Sequence, residues 1–445
     1  MEREAPYAAG SGSDAWAASL AFASFDVSDT GSAGSGSSGR DGTHMKALLT
    51  ESIHPSADAQ LGRIDGISIE RRGGAIKSGV ERAIADVSLL GIRSRTHLTA
   101  PVLEAGRELL AIGCFCIGTN QVDLAAAAEH GVPVFNAPFA NTRSVAELTL
   151  ASAIMLLRGI PEKSAGLRRG EWMKAVEGAH EARAKNLGIV GYGNIGSQLS
   201  VLASGLGMHV YYHDIEAKLA HGNARAVGSL EELLGLTDIL TLHVPSTELT
   251  RGMIDAEAIA HMKHGAYLIN HARGDLVDIG ALCDALRSGR LAGAAIDTYP
   301  DEPGSRGEPF DSPLREFDNV LLTPHIGGST VEAQEAIGGD VAAKLARYVL
   351  EGATRGAVNA PELDPGPLRE GRARILSMHR NAPGFLSRLN DLVSGMELNI
   401  AAQHLETRGG LGYAATDVEG ELPDAAEGAF AALKGAIRTR VIGGR

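Results

Sequence analysis

Arg273, Glu302 and His325 are the polar side chains best placed in this chain to act together. Each lies at the carboxyl end of a candidate strand: Leu268-Ile-Asn-His-Ala precedes Arg273, Asp297-Thr-Tyr-Pro-Asp precedes Glu302, and Leu321-Leu-Thr-Pro precedes His325. In an open parallel sheet the carboxyl edge of the strands faces the ligand crevice, so residues at three such edges converge on one cleft. The chemistry they fit is exchange between an alcohol and a ketone. A base must take the hydroxyl proton while hydride leaves, and histidine suits that task because its ordinary pKa is about 6.5. A neighbouring carboxylate orients the ring and stabilises the imidazolium. An arginine pairs with a substrate carboxylate and polarises the adjacent oxygen. Taken singly, each is as well explained as a structural group at a strand end. The case rests on the three together with something to accept the hydride.

Gly191-Tyr-Gly193-Asn194-Ile195-Gly196 supplies the place for that acceptor, because it follows an apolar strand and opens a helix. Gly191 permits the tight turn, Gly193 lets the backbone approach a pyrophosphate, and Gly196 lets helix and strand pack closely. The pyrophosphate rests on the free N–H groups of the helix start. Asp214 ends the next strand, 18 residues past Gly196. Its carboxylate accepts from the ribose hydroxyls and repels a 2′-phosphate, which favours NAD over NADP.

The elements that must carry these residues can be read along the chain. Residues 1–44 are rich in Ser and Gly, lack apolar periodicity and read as a disordered leader; their acidic character suits neither a transit nor a signal peptide. From about 45 to 140, Met45–Thr50, Asp86–Ile92, Glu108–Ile112 and Val132–Phe135 read as strands and Gln121–Glu129 as a helix. A helix over Ser144–Leu157 follows. Six further strands are predicted between 186 and 326: Leu187–Val190, His209–His213, Ile239–Leu242, Ala266–Ile269, Gly293–Ile296 and Val320–Leu322. Strand–helix alternation of this kind predicts an α/β fold of two doubly wound parallel sheets. The assignment is a first domain of 45–140 with 328–371, a dinucleotide-binding domain of 141–327, and a C-terminal domain of 372–445. After a Pro-rich linker that last domain reads β-α-β-β-α-β, a ferredoxin-like order.

Composition narrows the field. Lys and Arg number 41 against 54 Asp and Glu, a net charge of −13 that argues against a nucleic-acid partner. No apolar run reaches the roughly 18 residues of a membrane span. Three cysteines (Cys114, Cys116 and Cys283) make no disulfide framework and fit a cytoplasmic protein. No metal site is indicated.

From Met45 onward the chain resembles the D-isomer-specific 2-hydroxyacid dehydrogenases, in particular the bacterial D-3-phosphoglycerate dehydrogenases with a C-terminal ACT regulatory domain. The motifs that carry the resemblance are Gly91-Ile-Arg-Ser-Arg-Thr-His-Leu-Thr99, the run Ala111–Asp123, Phe135-Asn-Ala-Pro-Phe139 and Thr323-Pro-His-Ile-Gly-Gly-Ser-Thr330. The family's arginine, glutamate and histidine fall on Arg273, Glu302 and His325. The resemblance implies oxidation of 3-phospho-D-glycerate to 3-phosphohydroxypyruvate with NAD, the first committed step of L-serine synthesis, and a 2-oxoglutarate reductase side activity. It adds Asp297 to the cofactor residues and implies a substrate site at Arg93, Ser94, Arg95, Asn141 and Lys174. Arg72 matches a basic family position near the mouth of the site, though a solvated surface role fits it as well. It also implies inhibition by L-serine through His379, Asn381 and Asn399, and a homo-oligomer, a tetramer in relatives. Asn381 and Asn399 are also explained as a helix cap and a turn residue.

Two departures stand out. His271 replaces a small residue before Arg273, which bears on packing around the nicotinamide. Glu370-Gly371 stands where a relative carries paired glycines, which bears on the grading of inhibition. The competing readings are a glyoxylate or hydroxypyruvate reductase, which needs neither the arginine pair nor the ACT domain, and a non-catalytic NAD-sensing corepressor.

Overall fold

The computed structural model describes residues 45–303 and 307–443. The leader expected to be disordered lies outside the described residues. The first parallel sheet has five strands in the order Ser68–Arg71, Lys46–Leu49, Leu89–Ile92, Ala111–Cys114 and Val134–Asn136. Leu89–Ile92 and Ala111–Cys114 are buried along their whole length, as expected of strands covered on both faces. Sequence reading missed Ser68–Arg71, a half-exposed edge strand with little apolar pattern. It also set the fourth strand too early. Leu109 and Leu110 lead into that strand, whose pairing begins at Ala111 and runs to Cys114.

The second sheet runs Val320–Leu322, Leu291–Ile296, Ala266–Asn270, Ile239–Leu242, Asn186–Val190, His209–His213 and Arg225–Ala226, all parallel. The two-residue Arg225–Ala226 strand is too short to leave a sequence signal. From Asn186–Val190 the chain first winds to one side, through His209–His213, and then to the other, through Ile239–Leu242. This switch point opens a crevice at the carboxyl edge. Helix Thr142–Leu157 packs under this sheet through Ala146, Ala153, Leu156 and Leu157. The 21-residue helix Val331–Glu351 instead packs on the first sheet, burying Ile337, Val341 and Leu345 against Ala57, Leu61 and Phe115.

The third sheet is antiparallel, with strand order Asn399–Arg408, Leu411–Glu419, Arg372–Arg380 and Ala436–Gly443. Helices Phe385–Gly395 and Ala426–Ala431 cover one face through Phe385, Leu389 and Phe430. The other face places Leu376, Met378, Tyr413 and Ala415 in the core formed with Val331–Glu351. Covering on both faces explains why Arg372–Arg380 is buried at seven consecutive positions instead of alternating.

Candidate active site

His325 Nδ1 lies 2.9 and 3.0 Å from the two carboxylate oxygens of Glu302. Both side chains keep access to the cleft, with exposures of 50 and 37 %. The hydrogen bond to Glu302 and its charge raise the His325 pKa against the opposing effect of burial. Burial pushes Glu302 up, but the His325 hydrogen bond and charge, the Tyr299 N–H and Arg273 outweigh it, so Glu302 titrates below the usual carboxylate range. Nδ1 is occupied by Glu302, which leaves Nε2 to meet a substrate hydroxyl.

The loop that carries His325 is held from below. His325 itself has φ 53°, a left-handed conformation that is costly for a side-chain-bearing residue. Asp297, 1 % exposed, accepts from Thr323 Oγ1 at 2.6 Å, Ile326 N–H at 2.8 Å and Gly327 N–H at 2.8 Å. These bonds over-determine the strained turn. Asp297 was read from the sequence as a cofactor residue; its bonds here are to the histidine loop. Arg273 leaves the neighbouring strand end, where Asn270 Nδ2 donates to its carbonyl at 2.8 Å.

A pH dependence follows from this pair. Alcohol oxidation needs neutral His325, so its kcat/KM rises with pH through a midpoint above the ordinary histidine value. Ketone reduction needs the imidazolium and falls through the same midpoint. Glu302→Gln removes the cause of the shift, so the midpoint moves to lower pH, in addition to a loss of rate. Matched pH–rate profiles in both directions check this.

The glycine turn fits a dinucleotide. Gly191 has φ 89°, and a Cβ there would lie 2.7 Å from the His243 carbonyl oxygen. A Cβ on Gly196 would lie 2.2 Å from the Gly191 carbonyl oxygen, so helix Asn194–Gly205 sits as close to the turn as a glycine allows. A Cβ on Gly193 would meet nothing within 4 Å, which leaves open space before the helix start, where N–H groups lack intrahelical acceptors. Asn194 and Ile195 form the first turn. Asp214 accepts from the N–H groups of Tyr192 at 2.8 Å and Glu216 at 2.9 Å, which aims its carboxylate along the rim of the turn.

Across the cleft, the Arg93-Ser94-Arg95 loop is organised by a residue that sequence reading passed over. Glu51 is 1 % exposed and has φ 58°. Its carboxylate accepts from the N–H groups of Arg93 at 3.2 Å, Arg95 at 3.0 Å and Thr96 at 2.8 Å. A glutamate directly after an apolar strand was the only available signal. Gln121 Nε2 donates to Arg93 O at 2.7 Å and Gly118 O at 3.2 Å. A Cβ on Gly118 would in turn lie 4.0 Å from Arg273 Nη2, so this chain of contacts brings Arg93 and Arg273 to one cleft. Cys116 lies within it, but burial pushes its thiol up to about 11, which leaves it an inert neighbour of the two cations.

The other sequence-predicted residues are spread more widely. Asn141 is 8 % exposed, lies against Gly328, and leaves its Oδ1 without a partner among the described residues. Lys174 is exposed on the segment after Trp172, with no side-chain bond among the described residues. Arg72 pairs with Glu70 at 2.9 Å on the edge strand, the solvated role. His379 is buried and stacked on Phe385 at 3.8 Å, and Asn381 Nδ2 donates to Gly409 O at 3.2 Å. Asn399 is elsewhere. It faces Glu419, itself opposite Arg372, seven positions along the strand from His379. At the rise of a β-strand that separation is about 23 Å. One chain therefore does not assemble the three-residue serine site expected from the sequence.

Comparison with known proteins agrees with this geometry. Residues 150–327 match the model of the D-isomer specific 2-hydroxyacid dehydrogenase NAD binding domain. The chain is 52 % identical over 402 residues to the D-3-phosphoglycerate dehydrogenase of Escherichia coli, covering 89 % of this chain and 97 % of that protein. It is 51 % identical over 403 residues to the D-3-phosphoglycerate dehydrogenase of Haemophilus influenzae, covering 90 and 98 %. Among solved structures, D-2-hydroxyisocaproate dehydrogenase superposes with TM-score 0.64 at 26 % identity, covering 71 % of this chain and all of that one. The D-lactate dehydrogenase of Aquifex aeolicus, complexed with NAD and lactic acid, gives TM-score 0.61 at 28 % identity, covering 71 and 100 %. With relatives this similar over nearly their whole length, the chain belongs to the D-3-phosphoglycerate dehydrogenases, within the D-isomer specific 2-hydroxyacid dehydrogenase family.

Proposed function

We propose that this protein oxidises 3-phospho-D-glycerate to 3-phosphohydroxypyruvate with NAD, opening L-serine synthesis. The observation that carries the reading is the His325–Glu302 pair beside Arg273, with the Arg93–Arg95 loop held by Glu51 across the cleft. Gly191–Gly196 and Asp214 would hold NAD, with Asp297 fixing the histidine loop beside it, and the bound cofactor would supply the hydride acceptor. His325 Nε2 takes the hydroxyl proton, and Glu302 stabilises the imidazolium that results. Arg273 holds the carboxylate and polarises the oxygen that becomes the ketone. Arg93, Ser94, Arg95 and Asn141 take the phosphate end, where guanidinium groups bind in charge-assisted pairs. The second carboxylate of 2-oxoglutarate fits the same cations, which supports reduction of that acid as a side activity.

Replacing Arg93 and Arg95 by Ala tests the substrate assignment. The KM for 3-phosphohydroxypyruvate rises roughly 10- to 100-fold, the scale of lost charge-assisted hydrogen bonds. The KM for unphosphorylated hydroxypyruvate changes little. Equal losses on both substrates contradict the assignment.

The C-terminal unit is read as an ACT domain that binds L-serine between two copies of the chain. Strand Asn399–Arg408 is an open sheet edge with Leu405 40 % exposed. Two such edges paired antiparallel place the partner's Asn399 near Arg408 and the Gly409-Gly410 turn, to which Asn381 is bonded. That arrangement reunites His379 and Asn381 with an asparagine about 23 Å away in its own chain. The exposed Trp172 and Lys174 segment is a second surface available to another copy, which supports a tetramer. The unpaired thiols fit a cytoplasmic protein.

A further inference from the structure

His271, the bulky departure before Arg273, stands directly beyond strand Ala266–Asn270 and is 6 % exposed. Its Nδ1 lies 3.1 Å from Thr149 Oγ1 on helix Thr142–Leu157. That hydroxyl has a single hydrogen, which it donates to Val145 O at 2.8 Å. Oγ1 can therefore only accept from His271, so the proton of the imidazole sits on Nδ1 and the lone pair on Nε2. Burial, only partly offset by Asp297, pushes the ring down to about 4 and keeps it neutral near pH 7.

Nε2 has no protein partner among the described residues, and it is not among the sealed polar atoms that lack one. Its small exposure lies at the carboxyl edge of the second sheet. This is also the path of the cofactor. A dinucleotide anchored at Gly193 and delivering its reactive ring to Arg273 and His325 must cross the ends of Ile239–Leu242 and Ala266–Asn270. The nicotinamide carboxamide carries two N–H donors that need acceptors there.

We propose that His271 Nε2 accepts a hydrogen bond from the carboxamide N–H2 of the bound nicotinamide, making His271 a cofactor-binding residue in this chain. Thr149 is the positioning residue that fixes the tautomer. The proposal rests on the NAD site described above.

Fluorescence titration with NADH, without substrate, tests it. Wild type, His271→Ala and His271→Gln are each titrated with NADH and with the reduced 3-acetylpyridine analogue, which has no amide N–H. His271→Ala weakens NADH binding roughly five- to tenfold, the scale of one hydrogen bond. It leaves the affinity for the analogue within twofold of wild type, and His271→Gln, which keeps an acceptor, restores most of the NADH affinity. Equal losses for both dinucleotides, no loss with Ala, or a Gln variant as weak as Ala overturns the proposal. A wild-type chain that binds neither dinucleotide overturns the cofactor site itself. Ring 15N spectra of the histidine-labelled wild type give a check independent of variant folding: His271 appears as the Nδ1–H tautomer, and the Nε2–H tautomer contradicts the assignment.

Discussion

His325→Ala lowers kcat in both directions by roughly 10²- to 10⁴-fold, the contribution of a positioned general acid–base. It leaves the dissociation constant for NADH nearly unchanged. Glu302 occupies Nδ1, Nε2 is free toward the cleft, and Asp297 fixes the strained turn, so the imidazole is positioned before substrate arrives. The buried His243 is no substitute. Burial pushes His243 down to about 3, and its Nε2 is already 3.1 Å from Thr241 Oγ1. Residual activity within tenfold of wild type contradicts the assignment of the base. A matching loss of NADH affinity shows instead that the loop has collapsed.

Asp417→Ala destabilises the fold by about 3–5 kcal/mol, as expected when one partner of a buried ion pair is removed. Arg374 and Asp417 are 1 and 7 % exposed and bond in bidentate fashion at 2.5 and 2.9 Å. The same guanidinium donates to Glu351 O at 2.8 Å and Gly366 O at 2.7 Å. Tyr413 Oη donates to Gly352 O at 2.8 Å and Arg440 to Val349 O at 2.9 Å. The third sheet thus grips the carbonyl end of helix Val331–Glu351, where the helix dipole favours cations. The opposite end of that helix, about 31 Å away at 1.5 Å per residue, begins just after the His325 loop. Asp417→Ala therefore also weakens any serine inhibition more than it weakens turnover. Chemical denaturation and serine titration of the variant check both effects. The double change Arg374→Met with Asp417→Leu leaves no buried charge and costs much less. If the single change costs as little as the double, the buried pair has been misread.

How far the sequence alone could lead differs from element to element. The second sheet was legible because its strands are apolar, short and separated by helices. Its six longer strands appear where the pattern puts them, and the Gly191–Gly196 motif lies at the switch point. Ser68–Arg71 was not legible because an edge strand needs no apolar face. Arg273, Glu302 and His325 could be found because they follow strands. Glu51 could not, since its importance comes from backbone N–H groups about 45 residues away along the chain. Arg438 and Arg440 were not singled out in the final strand, yet Arg438 donates to Leu109 O and Arg440 stacks on Tyr348 with its Cζ 4.9 Å from the ring centre. Charge pattern does not reveal that backbone carbonyls and a ring from the first domain and its long helix will face these cations. Asn399 illustrates a different limit. Three residues that suit one ligand need not meet within one chain, and only the strand register shows that they do not.

Substrate choice is decided by the initial rate of NADH oxidation by the purified full chain with 3-phosphohydroxypyruvate, set against glyoxylate and pyruvate and repeated with L-serine. Turnover with the phosphorylated ketoacid is expected at a kcat/KM at least 10- to 100-fold above the others, from the charge-assisted contacts at Arg93 and Arg95, with suppression by L-serine. A folded, NADH-binding protein that ignores 3-phosphohydroxypyruvate, or that turns over glyoxylate equally well, contradicts the substrate assignment.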